Sequence, residues 1–211
     1  MIDSSLYAAF FLAALMLCVS PGPDMMFIVA MGGRGGPRAG VLAALGVGCG
    51  ALVHVFAAML GLSALFLAFP TLYHVLRWVG AAYLLYLAVK AFRDRAPLGE
   101  DEGTIGSAGP SRWRAFGQGM LTNLLNPKVI LFNIAFLPQF VRPAMGHVPV
   151  QFLLLGLTMV LIGLAVDTSV GLLAGRLAAL LRRSARTARA LNVLSGTIFG
   201  GLAVRLVAAP K

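Results

Sequence analysis

Charge is what this chain has least of. Asp, Glu, Lys and Arg make up 11% of its 211 residues, roughly half the ~25% usual in a soluble domain. Acidic residues are the scarcest: seven Asp and Glu stand against 17 Lys and Arg, a formal net charge of +10. So few charges cannot clothe a water-facing surface, and lipid must solvate most of the chain. Cysteine is nearly as sparse. Cys18 and Cys49 both lie inside apolar runs, with no CxxC pair and no Cys/His cluster, which argues against a disulfide framework or a zinc site. They read as small apolar packing residues. No P-loop is present to energise ATP-driven transport, and neither a zincin motif nor G-x-S-x-G is present to support an enzyme. Active transport would therefore draw on an ion or proton gradient. The basic excess does not imply nucleic acid, because it falls in short gaps between apolar runs and no recognition motif accompanies it. A basic n-region is also missing: Asp3 is the only charge before Asp24. The N-terminal apolar run is thus read as a retained first helix rather than a signal peptide.

What is abundant is hydrophobicity, at 59% of residues and a mean hydropathy of +0.89. About 20 apolar residues cross a bilayer as a helix, and six segments qualify. The first runs from Ser5 to Met31, the second from Ala39 to Phe69 and the third from Leu72 to Phe92. The fourth runs from Ala115 to Val141, the fifth from Val148 to Leu181 and the sixth from Ala188 to Ala209. The longest polar gap, 93–114, contains Pro97, Gly99, Gly103 and Pro110 and reads as a linker. It separates a first three-helix repeat at 1–92 from a second at 115–211. Arg34, Arg38, Lys90, Arg93, Arg95, Arg112, Arg114, Arg176, Arg182, Arg183, Arg186 and Arg189 flank the odd-numbered gaps. Only Arg77, Arg142, Arg205 and Lys211 fall on the opposite side. The positive-inside rule then puts the linker in the cytoplasm and both termini outward. Three helices per half force the second half to run inverted relative to the first. The expected fold is an all-α integral membrane protein of two inverted three-helix repeats, with helices one and four broken.

The breaks are Ser20-Pro21-Gly22-Pro23-Asp24 and Asn126-Pro127-Lys128. Proline removes a backbone donor from the helical ladder, and the freed carbonyls are tolerated in a membrane only against protein or a water-filled cavity. Broken helices at matching places in inverted halves point to a transporter's binding site near the midplane. Pro21, Gly22, Pro23, Asp24, Asn126, Pro127 and Lys128 are therefore the candidate substrate-binding residues. Lys128 places a cation where insertion scales charge about 3 kcal/mol. Asp24 and Lys128 either pair with each other or each face one end of a zwitterion. A plain kink at Pro21 and a snorkelling Lys128 are the bland readings. Asp167, in mid-segment with no offsetting neighbour, is a candidate proton site alongside Asp24 and His54. Asn123, Asn133, Gln118 and Thr122 add polarity to the fourth segment. The pairs Gly46/Gly50, Gly171/Gly175 and Gly196/Gly200 suit close helix packing or dimerisation.

On these residues the chain resembles the LysE/RhtB amino-acid exporter family of the bacterial inner membrane. The resemblance rests on the Ser20–Asp24 turn, on Gly32 through Gly40 with Arg38, and on Gly46. It also rests on Leu124-Leu125-Asn126-Pro127-Lys128 and Phe136-Leu137-Pro138-Gln139-Phe140. It implies export of an amino acid or derivative by proton antiport, with no cofactor, no resident metal and no enzymatic activity. A homodimer is compatible with it. Two rival readings are a transporter of another small solute or metal cation, and a non-transporting membrane assembly protein. Cation sites want several carboxylates or thiolates, and buried charge on broken helices is costly for a purely structural role.

Overall fold

Proline and glycine punctuate the chain into helices. A computed structural model describes residues 4–62, 70–93, 112–183 and 185–208. Helix α1 spans Ser4–Val19 and ends where Pro21 withdraws a donor; α2 spans Pro23–Ala57 with proline at its first position. A π-helical turn, Ala58–Leu62, continues α2, and α3 spans Pro70–Arg93. Helix α4 (Arg112–Leu124) and α5 (Pro127–Leu131) flank the second break. After α5 come a π-helical turn, Phe132–Phe136, and a 3-10 turn, Leu137–Phe140. Helix α6 spans Val148–Arg183 and α7 spans Ala185–Ala208. Every regular element among the described residues is helical.

Helix α2 departs from the expected loop at 32–38. The chain stays helical up to Gly36, whose φ of 79° and ψ of 177° only glycine adopts without strain. A Cβ placed on Gly32 would lie 3.2 Å from the Cα of Gly40. Residues eight apart in a straight helix are separated by about 12 Å, so the chain doubles back here. One arm, 23–35, follows the first break, and the other, 37–57, packs on α4 and α6. Glycine makes that packing close. A Cβ on Gly46 would land on the Phe116 carbonyl, and one on Gly119 on the Ala43 carbonyl, while Gly40 and Gly171 meet backbone to backbone. Gly46 and Gly50 therefore serve packing of α2 on α4.

Two described helical stretches are long and apolar enough to cross a membrane, Pro23–Gly61, which includes the reversal at Gly36, and Val148–Leu177. Trp113–Leu124 and Pro127–Phe140 meet that requirement together, bent by 46° at the break. Most of the expected linker at 93–114, the end of the second segment and both chain termini lie outside the described residues.

Large apolar side chains face outward, and several polar ones are buried. Leu60, Leu125, Leu161 and Val204 face outward at 67–69% exposure, whereas Ser20, Asn123, Asn126, Asn133, Gln151 and Asn192 are buried. An apolar exterior with polar side chains buried inside is the arrangement lipid favours. One core joins α1, α3, α6 and α7 around Phe10, Phe132, Phe136, Phe140, Phe152 and Phe199. A smaller one holds the two arms of α2 to α4 through Phe27, Ile28, Met31, Ala43, Val47 and Ala115. Gln151 fastens the turn after the fourth segment. It accepts from Arg142 N at 2.8 Å and donates to the carbonyls of Arg142 and Gly146 at 3.0 and 2.7 Å.

Candidate functional site

A helical N–H bonds the carbonyl four residues back, so each proline names the carbonyl it orphans. Pro21 orphans Leu17, Pro23 orphans Val19, and Pro127 orphans Asn123. An unmade bond to a buried group costs about 1–3 kcal/mol. The structure answers two of these three deficits with side chains from distant elements. Lys128 Nζ donates to Leu17 O at 3.0 Å and to Ser20 O at 2.9 Å. Asn126 N turns back onto Asn123 O at 3.0 Å, and His54 Nε2 lies 3.3 Å from the same oxygen. Asn126 also caps α5, its Oδ1 accepting from Lys128 N at 3.0 Å. The ammonium rests 5.2 Å from the Phe199 ring centre, a cation–π distance. Gly22 leaves it room: a Cβ there would stand 3.2 Å from Nζ.

Between the breaks lies a cavity of about 80 Å³. A water needs about 10–15 Å³ measured this way, so several waters or a small solute fit. Its polar wall includes Ser20, Gly22, Asp24, Asn123, Asn126, Lys128, Asn133 and Asp167. Its apolar wall includes Val47, Val55, Met159, Val160 and Leu164. Asp24 Oδ2 accepts from Asn123 Nδ2 at 2.8 Å. Among the described residues, no hydrogen-bond partner meets the buried Asp24 Oδ1, Asn123 Oδ1, Asn133 Oδ1 or Ser20 Oγ. Asn133 Nδ2 is held by Val129 O at 2.9 Å, which fixes the direction of its amide. The π-helical turn at Phe132–Phe136 carries Asn133, and such turns recur at functional sites.

Of the residues singled out in the sequence, Gly22, Asp24, Asn126, Lys128 and Asp167 share this cavity. Pro21, Pro23 and Pro127 shape the breaks without lining it. His54 also stands off the lining, against the Asn123 carbonyl. The ammonium of Lys128 goes to backbone carbonyls and the carboxylate of Asp24 to Asn123. Cys18, read as a packing residue, lines the cavity. Asn123 and Asn133 were legible only as general polarity. Counting four residues back from Pro127 would have singled out Asn123.

Two proline-broken helices that enclose charged side chains agree with what the comparisons return. The profile of LysE type translocators matches residues 15–209. The chain belongs to the LysE type translocator family. It is therefore a membrane transport protein by family. An uncharacterized membrane protein of Vibrio cholerae is 33% identical over 207 residues, covering 98% of each chain. An uncharacterized membrane protein of Pseudomonas aeruginosa is 35% identical over 201 residues, covering 94% of this chain and 93% of its own. The homoserine/homoserine lactone efflux protein of Salmonella typhimurium is 31% identical over 191 residues, covering 90% of each. No solved structure matches the chain significantly.

Proposed function

We propose that this translocator exports an amino acid or a close derivative from the cytoplasm across the bacterial inner membrane, in exchange for protons. The observation that carries the reading is the cavity between the two breaks, where Asp24, Lys128 and Asp167 converge. Charges are expensive in a membrane interior and mark substrate or proton paths. The efflux activity named for the Salmonella relative supports the direction and the solute class. In this reading α1 with the first arm of α2 forms one broken helix, and α4 with α5 forms its inverted counterpart. The two halves, 1–92 and 115–211, rock about the cavity, and both termini face outward. Asp24 and Asp167 are the groups that exchange protons with the cavity. His54 acts through Asn123.

Counterflow in proteoliposomes against a panel of labelled amino acids, with and without a pH gradient, tests this. At least one amino acid is expected to exchange, faster when protons can move inward against it. A flat response to the whole panel overturns the function, and indifference to the gradient overturns the coupling. In cells, Asp24→Asn is expected to abolish resistance to a toxic amino acid while the protein remains in the membrane. Full resistance in that variant would remove Asp24 from the site.

A further inference from the structure

The cavity between the breaks has two ends, and they are closed differently. Toward one end the helices meet through main chain: Gly40 lies against Gly171, and Gly46 against the Phe116 carbonyl. Toward the other, where α1 begins and α7 finishes, they meet through rings. Leu17 of α1 and Asn133 of the π-helical turn line the cavity. Phe10 stands seven residues before Leu17, about 10 Å along α1, and Phe136 three residues after Asn133. Helix α6 brings Phe152, four residues before Gly156 of the lining. Phe10, Phe136, Phe140 and Phe152 are all at most 1% exposed. Phe140 links the layer: its ring centre is 5.2 Å from that of Phe10 and 5.2 Å from that of Phe136.

One charge rests on these rings. Arg205, half-buried near the end of α7, places its Cζ 4.7 Å from the centre of Phe140 and 6.0 Å from that of Phe136. Those rings are the contacts its guanidinium makes among the described residues. A cation on ring faces is held less firmly than one buried against a carboxylate, so this contact suits repeated release. The segment beneath it is not a regular α-helix either. Phe132–Phe136 is π-helical and Leu137–Phe140 is 3-10, two forms that occur in short pieces.

We infer that Phe10, Phe136 and Phe140 form the gate of the cavity toward the α1 end, and that Arg205 is the positioning residue that latches it shut by holding the Phe140 ring. The gate opens when the guanidinium leaves the rings and Phe140 changes rotamer. Asn133 shares its turn with Phe136, so a rearrangement of that turn at the cavity reaches the gate directly. Replacing an arginine that merely snorkels from a helix end would leave access to the cavity unchanged.

The inference rests on the transport reading above, whose orientation makes this end the outer one; the test defines the side independently. Cys18 lines the cavity and Cys49 is not part of its lining, so the full-length Cys49→Ser protein carries one thiol at the site. Sealed membrane vesicles of both orientations are treated with a membrane-impermeant methanethiosulfonate, and modification of Cys18 is followed by mass spectrometry. A separate protein with Cys18→Ser, Cys49→Ser and Ser4→Cys has its thiol at the exposed start of α1 and marks the side on which α1 begins. From that side Arg205→Gln is expected to raise the Cys18 rate roughly tenfold, the change when a contact of cation–π strength no longer favours the closed state. Phe140→Leu is expected to do the same, and Arg205→Lys, which keeps a cation, to stay near the parent rate. Rates unchanged in both Arg205→Gln and Phe140→Leu overturn the inference. So does a rise of equal size from the two sides, which general loosening would give, or a parent protein modified from the α1 side as fast as the Ser4→Cys marker. Arg205→Lys modified as fast as Arg205→Gln overturns the latch. Amino-acid counterflow of the parent protein is run alongside. Counterflow with no side-specific change in labelling sinks the gate and leaves the transport reading standing; a side-specific change with no counterflow sinks the transport reading and leaves the gate.

Discussion

At the scale of single residues, Lys128 holds backbone that proline has disarmed. Its partners lie 111 and 108 positions away in the chain. Lys128→Met is expected to leave two buried carbonyls unpaired, at about 1–3 kcal/mol each. A clear fall in melting temperature of the purified protein would register that cost; an unchanged melting temperature would refute the role. Gln151 makes a separate case. Gln151→Leu is expected to speed amide exchange across 142–147 without loss of the cavity, which hydrogen–deuterium exchange can resolve. The sequence made Lys128, Asp24 and Asp167 legible because charge inside an apolar run is expensive and conspicuous. It did not reveal what they touch. The acceptors of Lys128 are main-chain atoms, and every residue has those, so composition cannot mark them.

At the scale of elements, the breaks and the reversal between the first two segments were legible, and the single residue that makes the reversal was not. Proline advertises a lost donor at Pro21, Pro23 and Pro127, and the helices end and restart there as expected. The stretch from Gly32 to Gly40 is rich in glycine and arginine and reads as a loop, but one residue, Gly36, makes the turn. Among the described residues, nothing lies within 4 Å of a Cβ built on Gly36, so any penalty for Gly36→Ala comes from backbone strain, about 1–3 kcal/mol. Gly117, equally unobstructed, is an ordinary helical glycine. Gly117→Ala is expected to be neutral or to stabilise by up to about 1 kcal/mol. Comparing the melting temperatures of the two variants separates conformation from contact, and equal melting temperatures would contradict the reversal. Gly46→Ala differs again, since the added methyl meets the Phe116 carbonyl and must push α4 off α2.

At the scale of the whole molecule, the outward apolar face and the buried amides fit one solvent, lipid. Leu161 is 67% exposed near the middle of α6. Leu161→Arg is expected to cost about 3 kcal/mol on insertion scales and to deplete the protein from the membrane fraction. Undiminished recovery would mean that this face does not meet acyl chains. The membrane assignment was the most legible feature of all, because it follows from average composition rather than from any single position. The inverted pairing of halves rests on fainter signals, chiefly the matching places of Pro21 and Pro127.

The lysine that spans the two breaks makes two distant positions one genetic unit. Pro21→Ala would return an N–H to the Leu17 carbonyl and so relieve Lys128 of half its duty. The loss caused by Lys128→Met should then be smaller in the Pro21→Ala background, a departure from additivity readable in a double-mutant cycle. Strictly additive melting shifts would refute it. Lineages that exchange one of these residues would, on this logic, find the other newly free to drift.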